Sequence, residues 1–146
     1  MIRIAVQTAP IDLAAEIAAV EQPGAGAVAT FTGIVRGDDG VATLELEHYP
    51  GATEAALRTV AEGAVSRWSL DGATIVHRVG PMRPGERIVF VAAVAAHRGA
   101  ALEACAYLID RLKTDAPFWK RETRGHRASW VEPRDGDHEA AARWAG

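Results

Sequence analysis

One cysteine and two lysines in 146 residues are the scarcities that say most about this sequence. Cys105 stands alone, so no internal disulfide can close and no cysteine cluster can hold zinc or an iron–sulfur centre. The longest unbroken apolar run, Ile88 to Ala96, falls far short of the roughly 20 residues that a membrane-crossing helix needs. The N-terminal stretch sets Arg3, Asp12 and Glu16 among short apolar pieces, which leaves no room for a signal-peptide core; a cytoplasmic location is expected. No Walker-type loop occurs, and Gly24-Ala25-Gly26 precedes a strand-like stretch where a dinucleotide fingerprint would follow one. His48, His77, His97, His126 and His138 show no pair four apart on a helix, so neither a metal nor a cofactor is expected. A net charge of -3 argues against whole-surface attraction to nucleic acid or to anionic lipid.

What is there fits one globular domain, residues 1–146, with 49% hydrophobic and 24% charged residues and no internal repeat or linker. Stretches rich in β-branched residues predict strands near Ile2 to Gln7, Ala27 to Arg36, Ala42 to Tyr49, Ala73 to Val79, Arg87 to Ala96 and Ala128 to Glu132. Three helical patterns separate them. The first follows Asp12 as N-cap, with Leu13, Ile17 and Val20 on one face. The second follows Thr53, with Leu57, Val60, Ala64 and Trp68. The third opens after Gly99, carries Leu102, Cys105, Ile109 and Leu112, and is stopped by Pro117. The order βαββαββαβ, with a turn at Pro84-Gly85, predicts an α+β fold of mainly antiparallel sheet with three helices. The strand from Arg87 to Ala96 is apolar on both faces and belongs at the centre, covered on each side. The Ala- and Asp-rich end from Asp135 is expected to fray.

Fourteen arginines stand against Lys113 and Lys120, which lie in one short segment. Where charge alone suffices this sequence uses arginine. A lysine therefore points to a task that a permanently charged, planar guanidinium cannot do, such as giving or taking a proton. Between Arg111 and Arg127, six cations face only Asp115 and Glu122, a local net charge of +4, and such crowding is expected to lower the lysine pKa values. The plain alternative is two exposed lysines at a helix end, where the dipole favours cations.

Other candidates are individually weaker. His97-Arg98 joins a strand to the third helix, so unpaired backbone N–H groups lie beside an imidazole and a guanidinium, an arrangement that suits a phosphate. Arg36 precedes the polar turn Gly37 to Gly40 and is within reach of an anion there. His48, in Glu47-His48-Tyr49-Pro50-Gly51, is either an acid–base group or a packed strand-end residue. Phe118-Trp119 beside Lys120 is placed to stack on a flat ring, although aromatics just past a helix are usually core anchors, and Cys105, on the apolar stripe of the third helix, reads as structural. Any sulfur handled here must arrive on another molecule.

Taken in order, several segments resemble the catalytic-subunit family of molybdopterin synthase, the MoaE family. These are Leu46-Glu47-His48-Tyr49-Pro50-Gly51 with Thr53-Glu54, His77-Arg78-Val79-Gly80, Pro84-Gly85-Glu86, Ala96-His97-Arg98, Leu112-Lys113-Thr114, Ala116-Pro117-Phe118-Trp119-Lys120-Arg121-Glu122 and Trp130-Val131-Glu132. The resemblance implies an α/β-hammerhead-like fold and a homodimer within a heterotetramer. Each subunit would receive the C-terminal Gly-Gly thiocarboxylate tail of a small ubiquitin-like sulfur carrier. Two sulfurs would pass in turn to cyclic pyranopterin monophosphate, giving the dithiolene of molybdopterin for molybdenum cofactor biosynthesis. By motif, Lys113 and Lys120 would be catalytic, while Arg36, His97, Arg98 and Arg134 would bind the substrate, the His-Arg pair being lent across the dimer. The loop Gly37-Asp38-Asp39-Gly40 is shorter and more acidic than in many relatives. Two other readings compete: a non-catalytic dimeric module that grips a ubiquitin-like tail, and an enzyme using Lys113 as a Schiff-base nucleophile.

Overall fold

Eight strands and three helices follow one another in the computed structural model, which describes residues 1–37, 40–124, 127–131, 142 and 144. They are β1 (Ile2–Gln7), α1 (Leu13–Val20), β2 (Ala27–Ile34), β3 (Thr43–His48), α2 (Ala52–Trp68), β4 (Gly72–Arg78), β5 (Gly80–Met82), β6 (Arg87–Ala95), α3 (Arg98–Asp115), β7 (Phe118–Arg124) and β8 (Arg127–Val131). One sheet has the order β1-β4-β6-β2, the other β5-β3-β7-β8. Among the described residues, only the β1–β4 pairing is parallel. The expected α+β class with mainly antiparallel sheet and three helices is what the chain adopts.

The sequence of β6 explains the layering. Its side chains alternate between two apolar clusters, as the period of a strand requires. Val89, Val91, Ala93 and Ala95 face the cluster built with α2 and α3, and Phe90, Ala92 and Val94 face the smaller one under α1. Both faces are thus covered, and β6 lies between β4 and β2, inside the sheet as expected. The second sheet sends Leu44, Leu46 and Met82 into the larger cluster, so the two sheets share one core.

The helix limits follow from local chemistry. Asp12 caps α1, its side chain accepting from the Ala15 N–H at 3.1 Å. Helix α2 starts at Ala52 rather than after Thr53, because the Thr53 hydroxyl is buried and donates to the Tyr49 carbonyl at 2.9 Å. Helix α3 begins at Arg98 and buries Ala101, Ala104, Cys105, Leu108 and Leu112. Leu102, expected on this stripe, lies outside it and is 62% exposed.

Two strands go beyond the expected order. β5 is three residues long, and β7 follows α3 after Pro117. Trp144, in the stretch expected to fray, is docked: its indole N–H donates to Asp110 at 2.7 Å, and its ring meets Trp68 and Tyr107 edge-on at 5.7 Å. No helix among the described residues is long and apolar enough to cross a membrane.

Candidate active site

Both lysines bear on the end of the first sheet where β4 carries His77. Lys113 lies in the last turn of α3 and Lys120 near the start of β7, both half-buried. β7 pairs with β3 so that His48 opposes Phe118 and Leu46 opposes Lys120. Directly opposed residues share a face, so Lys120 emerges on the side of buried Leu46, toward the core, and not on the side of Trp119. Beneath this edge is His77 of β4, 4% exposed, its ring stacked on Phe118 with centroids 4.0 Å apart and planes 25° from parallel.

His77 feels both lysines. Its pKa is lowered from 6.5 to about 3, chiefly by burial and then by the positive charges of Lys113, Lys120 and His48, against the opposing hydrogen bond to Arg78. The Nδ1 of His77 is 2.9 Å from the Arg78 carbonyl, which can only accept, so Nδ1 carries the proton. His48 keeps its Nδ1 3.8 Å from Glu54 and without a hydrogen-bond partner.

The surrounding arginines are better compensated than the charge count of the segment implies. Arg111 pairs with Asp115 at 2.9 Å, Arg124 with Glu122 at 2.7 Å and Arg121 with Glu45 at 3.9 Å. Folding thus gives three of the crowded cations their own carboxylates, two of them within the segment and one supplied by β3.

Arg36 follows β2 and is exposed at the same end of the sheet, where Val35 N–H donates to the Glu86 carbonyl at 2.9 Å. The register places His77 of β4 opposite Val89 and Ile34 of β2 opposite Arg87, so β4 and β2 reach this edge on either side of β6. The ends of β4 and β2 are therefore about two strand spacings apart, roughly 10 Å across the sheet.

His97 and Arg98 are elsewhere. They form the N-cap and first residue of α3, both exposed, with no capping bond from the His97 side chain. Fifteen residues of helix separate Arg98 from Lys113, about 22 Å at the usual rise. Within one chain, the predicted site is thus divided between the two ends of α3. Arg134 lies outside the described residues.

Sequence reasoning missed two features. One is His77, which stands in the family-like segment His77-Arg78-Val79-Gly80 but was given no role there. The other is an open groove of about 480 Å³ on the outer side of the second sheet, lined by Glu47, His48, Tyr49, Trp119 and Trp130. Trp119, read as a core anchor, is 40% exposed there and meets Tyr49 edge-on at 4.3 Å; its neighbour Phe118 does pack on the core. No group of three or more His, Cys, Asp or Glu among the described residues is arranged to hold a metal ion.

A model of the MoaE protein family matches residues 6–115. The chain belongs to the MoaE family. The molybdopterin synthase catalytic subunit of Ralstonia nicotianae is 49% identical, the match taking in 97% of this chain and 83% of that one. A solved MoaE structure from Burkholderia ambifaria superposes with a TM-score of 0.86 at 50% identity, covering 99% of this chain and 98% of that one. Molybdopterin synthase from Staphylococcus aureus superposes with a TM-score of 0.81 at 31% identity, covering 89% and 96%.

Within this MoaE fold Cys105 is a free, buried thiol. It is buried on α3, and burial pushes its thiol up to about 11. In the native state it is expected to resist a disulfide reagent at pH near 8 and to react fully once the chain is unfolded, a difference that thiol titration reads directly.

Proposed function

We infer that this chain is the catalytic subunit of a molybdopterin synthase. It transfers sulfur from the C-terminal thiocarboxylate of a small ubiquitin-like partner to cyclic pyranopterin monophosphate, in the cytoplasm, and so forms the dithiolene of molybdopterin. One observation carries the reading: the chain's only two lysines come from different elements and act on the same buried imidazole. The buried Cys105 fits a sulfur that is brought by another protein.

In this reading Lys113 gives and takes protons where the partner's tail meets the substrate, and stabilises the negative charge that develops there. Lys120 acts beside it on the pterin. Arg36 binds substrate from the same end of the sheet. His97 and Arg98, about 22 Å away along α3, serve the site of a second copy, so the catalytic unit is a homodimer that binds two partner subunits as a heterotetramer. Arg134 completes the anion-binding set.

The test is to mix the purified chain with cyclic pyranopterin monophosphate and a thiocarboxylated partner, and to measure molybdopterin. Product that requires all three components is expected. Absence of product with a partner known to be active would overturn the enzyme and leave a module that only grips the tail.

A further inference from the structure

Two of the family-like segments, His77-Arg78-Val79-Gly80 and Pro84-Gly85-Glu86, have no part in the reaction as set out above. The fold joins them. Arg78 ends β4 and is 6% exposed. Its Nη2 donates to the Thr8 carbonyl at 2.9 Å, and its Nη1 is 3.6 Å from a carboxylate oxygen of Glu86, the residue before β6. Burying a guanidinium is costly, and an apolar side chain would close this end of the core at lower cost. What the arginine adds is reach, from the end of β1 on one side to the turn before β6 on the other.

That turn is closed twice. The Glu86 N–H donates to the Arg83 carbonyl at 3.1 Å, and the Arg83 N–H donates to the Glu86 carboxylate. Pro84 and Gly85 fill its middle, with Gly85 at φ +93°, the pattern of a type II turn. The same residues grip the chain around Arg36. The Val35 N–H donates to the Glu86 carbonyl at 2.9 Å, and the Gly85 N–H donates to the Val35 carbonyl at 2.8 Å. On the other side of Arg36, Gly37 lies so close to Pro84 that a Cβ there would come within 3.2 Å of the proline Cβ. The regular β2–β6 register is already broken between Gly33 and Ile34, so the turn, and not the ladder, holds the chain on both sides of Arg36.

We propose that Arg78 and Glu86 are positioning residues for Arg36. Arg78 anchors the Glu86 carboxylate, the carboxylate holds the turn, and the turn sets the backbone from which the Arg36 side chain reaches substrate. An arginine that binds an anion gains from this, because a backbone already fixed has less freedom to lose on binding. The link to substrate rests on the synthase reading; the hold on Arg36 does not.

The Glu86 side chain is 42% exposed, so replacing it leaves the core intact. Glu86→Ala, Glu86→Gln and Arg78→Lys are compared with the native chain. In Glu86→Ala the Val35 amide is expected to exchange its hydrogen about five- to tenfold faster, while the amides paired in the β2–β6 ladder before Gly33 keep their rates. The backbone ¹⁵N order parameter of Arg36 is expected to fall from the rigid range of about 0.85 toward about 0.6. Glu86→Gln keeps an acceptor and recovers most of both effects. Arg78→Lys keeps the charge but not the planar fork, and follows Glu86→Ala in direction; should it fail to fold, the Glu86 pair decides. In the synthase assay, Glu86→Ala is expected to raise KM for cyclic pyranopterin monophosphate about five- to tenfold with kcat changed less than about twofold, and to add nothing in an Arg36→Ala background. Unchanged Val35 exchange and Arg36 order in Glu86→Ala overturn the proposal. So does a loosened turn with an unchanged KM, and so does a further rise of the same size on top of Arg36→Ala, the mark of a residue that acts on its own. A native chain without product overturns the synthase reading, and the exchange and relaxation measurements still decide the hold on Arg36.

Discussion

Lys113→Ala is expected to cut molybdopterin formation by about 10²- to 10⁴-fold, the range for removing a positioned proton donor. The large loss follows from what an alkylammonium does at this place: it supplies a proton and a compact positive charge where sulfur transfer develops negative charge. The fold should tolerate the change. Lys113 is half-buried in the last turn of α3, where alanine is the best helix former and the cation contributes only about 0.3–1 kcal/mol through the helix dipole. A rate loss with an unchanged unfolding midpoint therefore reports chemistry. Lys113→Arg sharpens the test, because it keeps the charge and cannot release the proton. Substrate binding is expected to survive in it while turnover falls with the alanine variant. Initial rates across substrate concentration separate the two effects, and undiminished product from Lys113→Ala would refute the assignment of this lysine.

The parts of the fold that could be read from the sequence are those whose periodicity is strong. β6 is apolar without interruption and could only be a covered central strand. The α1 limit was written in Asp12, and that of α3 in Pro117, because capping and helix breaking are local. β7 was not legible. Phe118–Arg124 reads FWKRETR, with neither β-branched runs nor clean alternation, and it becomes a strand because β3 and β8 flank it. β5, a Gly-Pro-Met triplet, is held only by its pairing with β3.

The site shows the same divide. Both lysines stood out by their rarity, but nothing local announced that their charges bear on His77, since that interaction joins β4 to segments more than thirty residues later. The separation of His97-Arg98 from Lys113 was available in principle. It is the length of α3, which the position of Pro117 already implied. The expected crowding among cations omitted Glu45, which reaches Arg121 only because β3 pairs with β7.

Acid should expose the burial of His77 as a loss of stability. In the unfolded chain the imidazole binds a proton as pH falls through about 6.5, whereas the native ring stays neutral until about 3. Between those values the unfolded state holds more protons than the native one, so stability falls as pH falls, by up to about 1.4 kcal/mol for each unit well inside the window. By about pH 4.5 the His77 contribution to this loss amounts to roughly 2–3 kcal/mol, a substantial share of the 5–15 kcal/mol typical of a small domain. Carboxylates titrate over part of the same range, so the comparison must be between the native chain and His77→Phe, which share every other ionisable group. Urea unfolding at a series of pH values from about 7 to 4.5 is expected to show the two stability curves converging as pH falls, the native chain losing the extra 2–3 kcal/mol. Parallel curves would mean that native His77 takes up its proton at an ordinary pH.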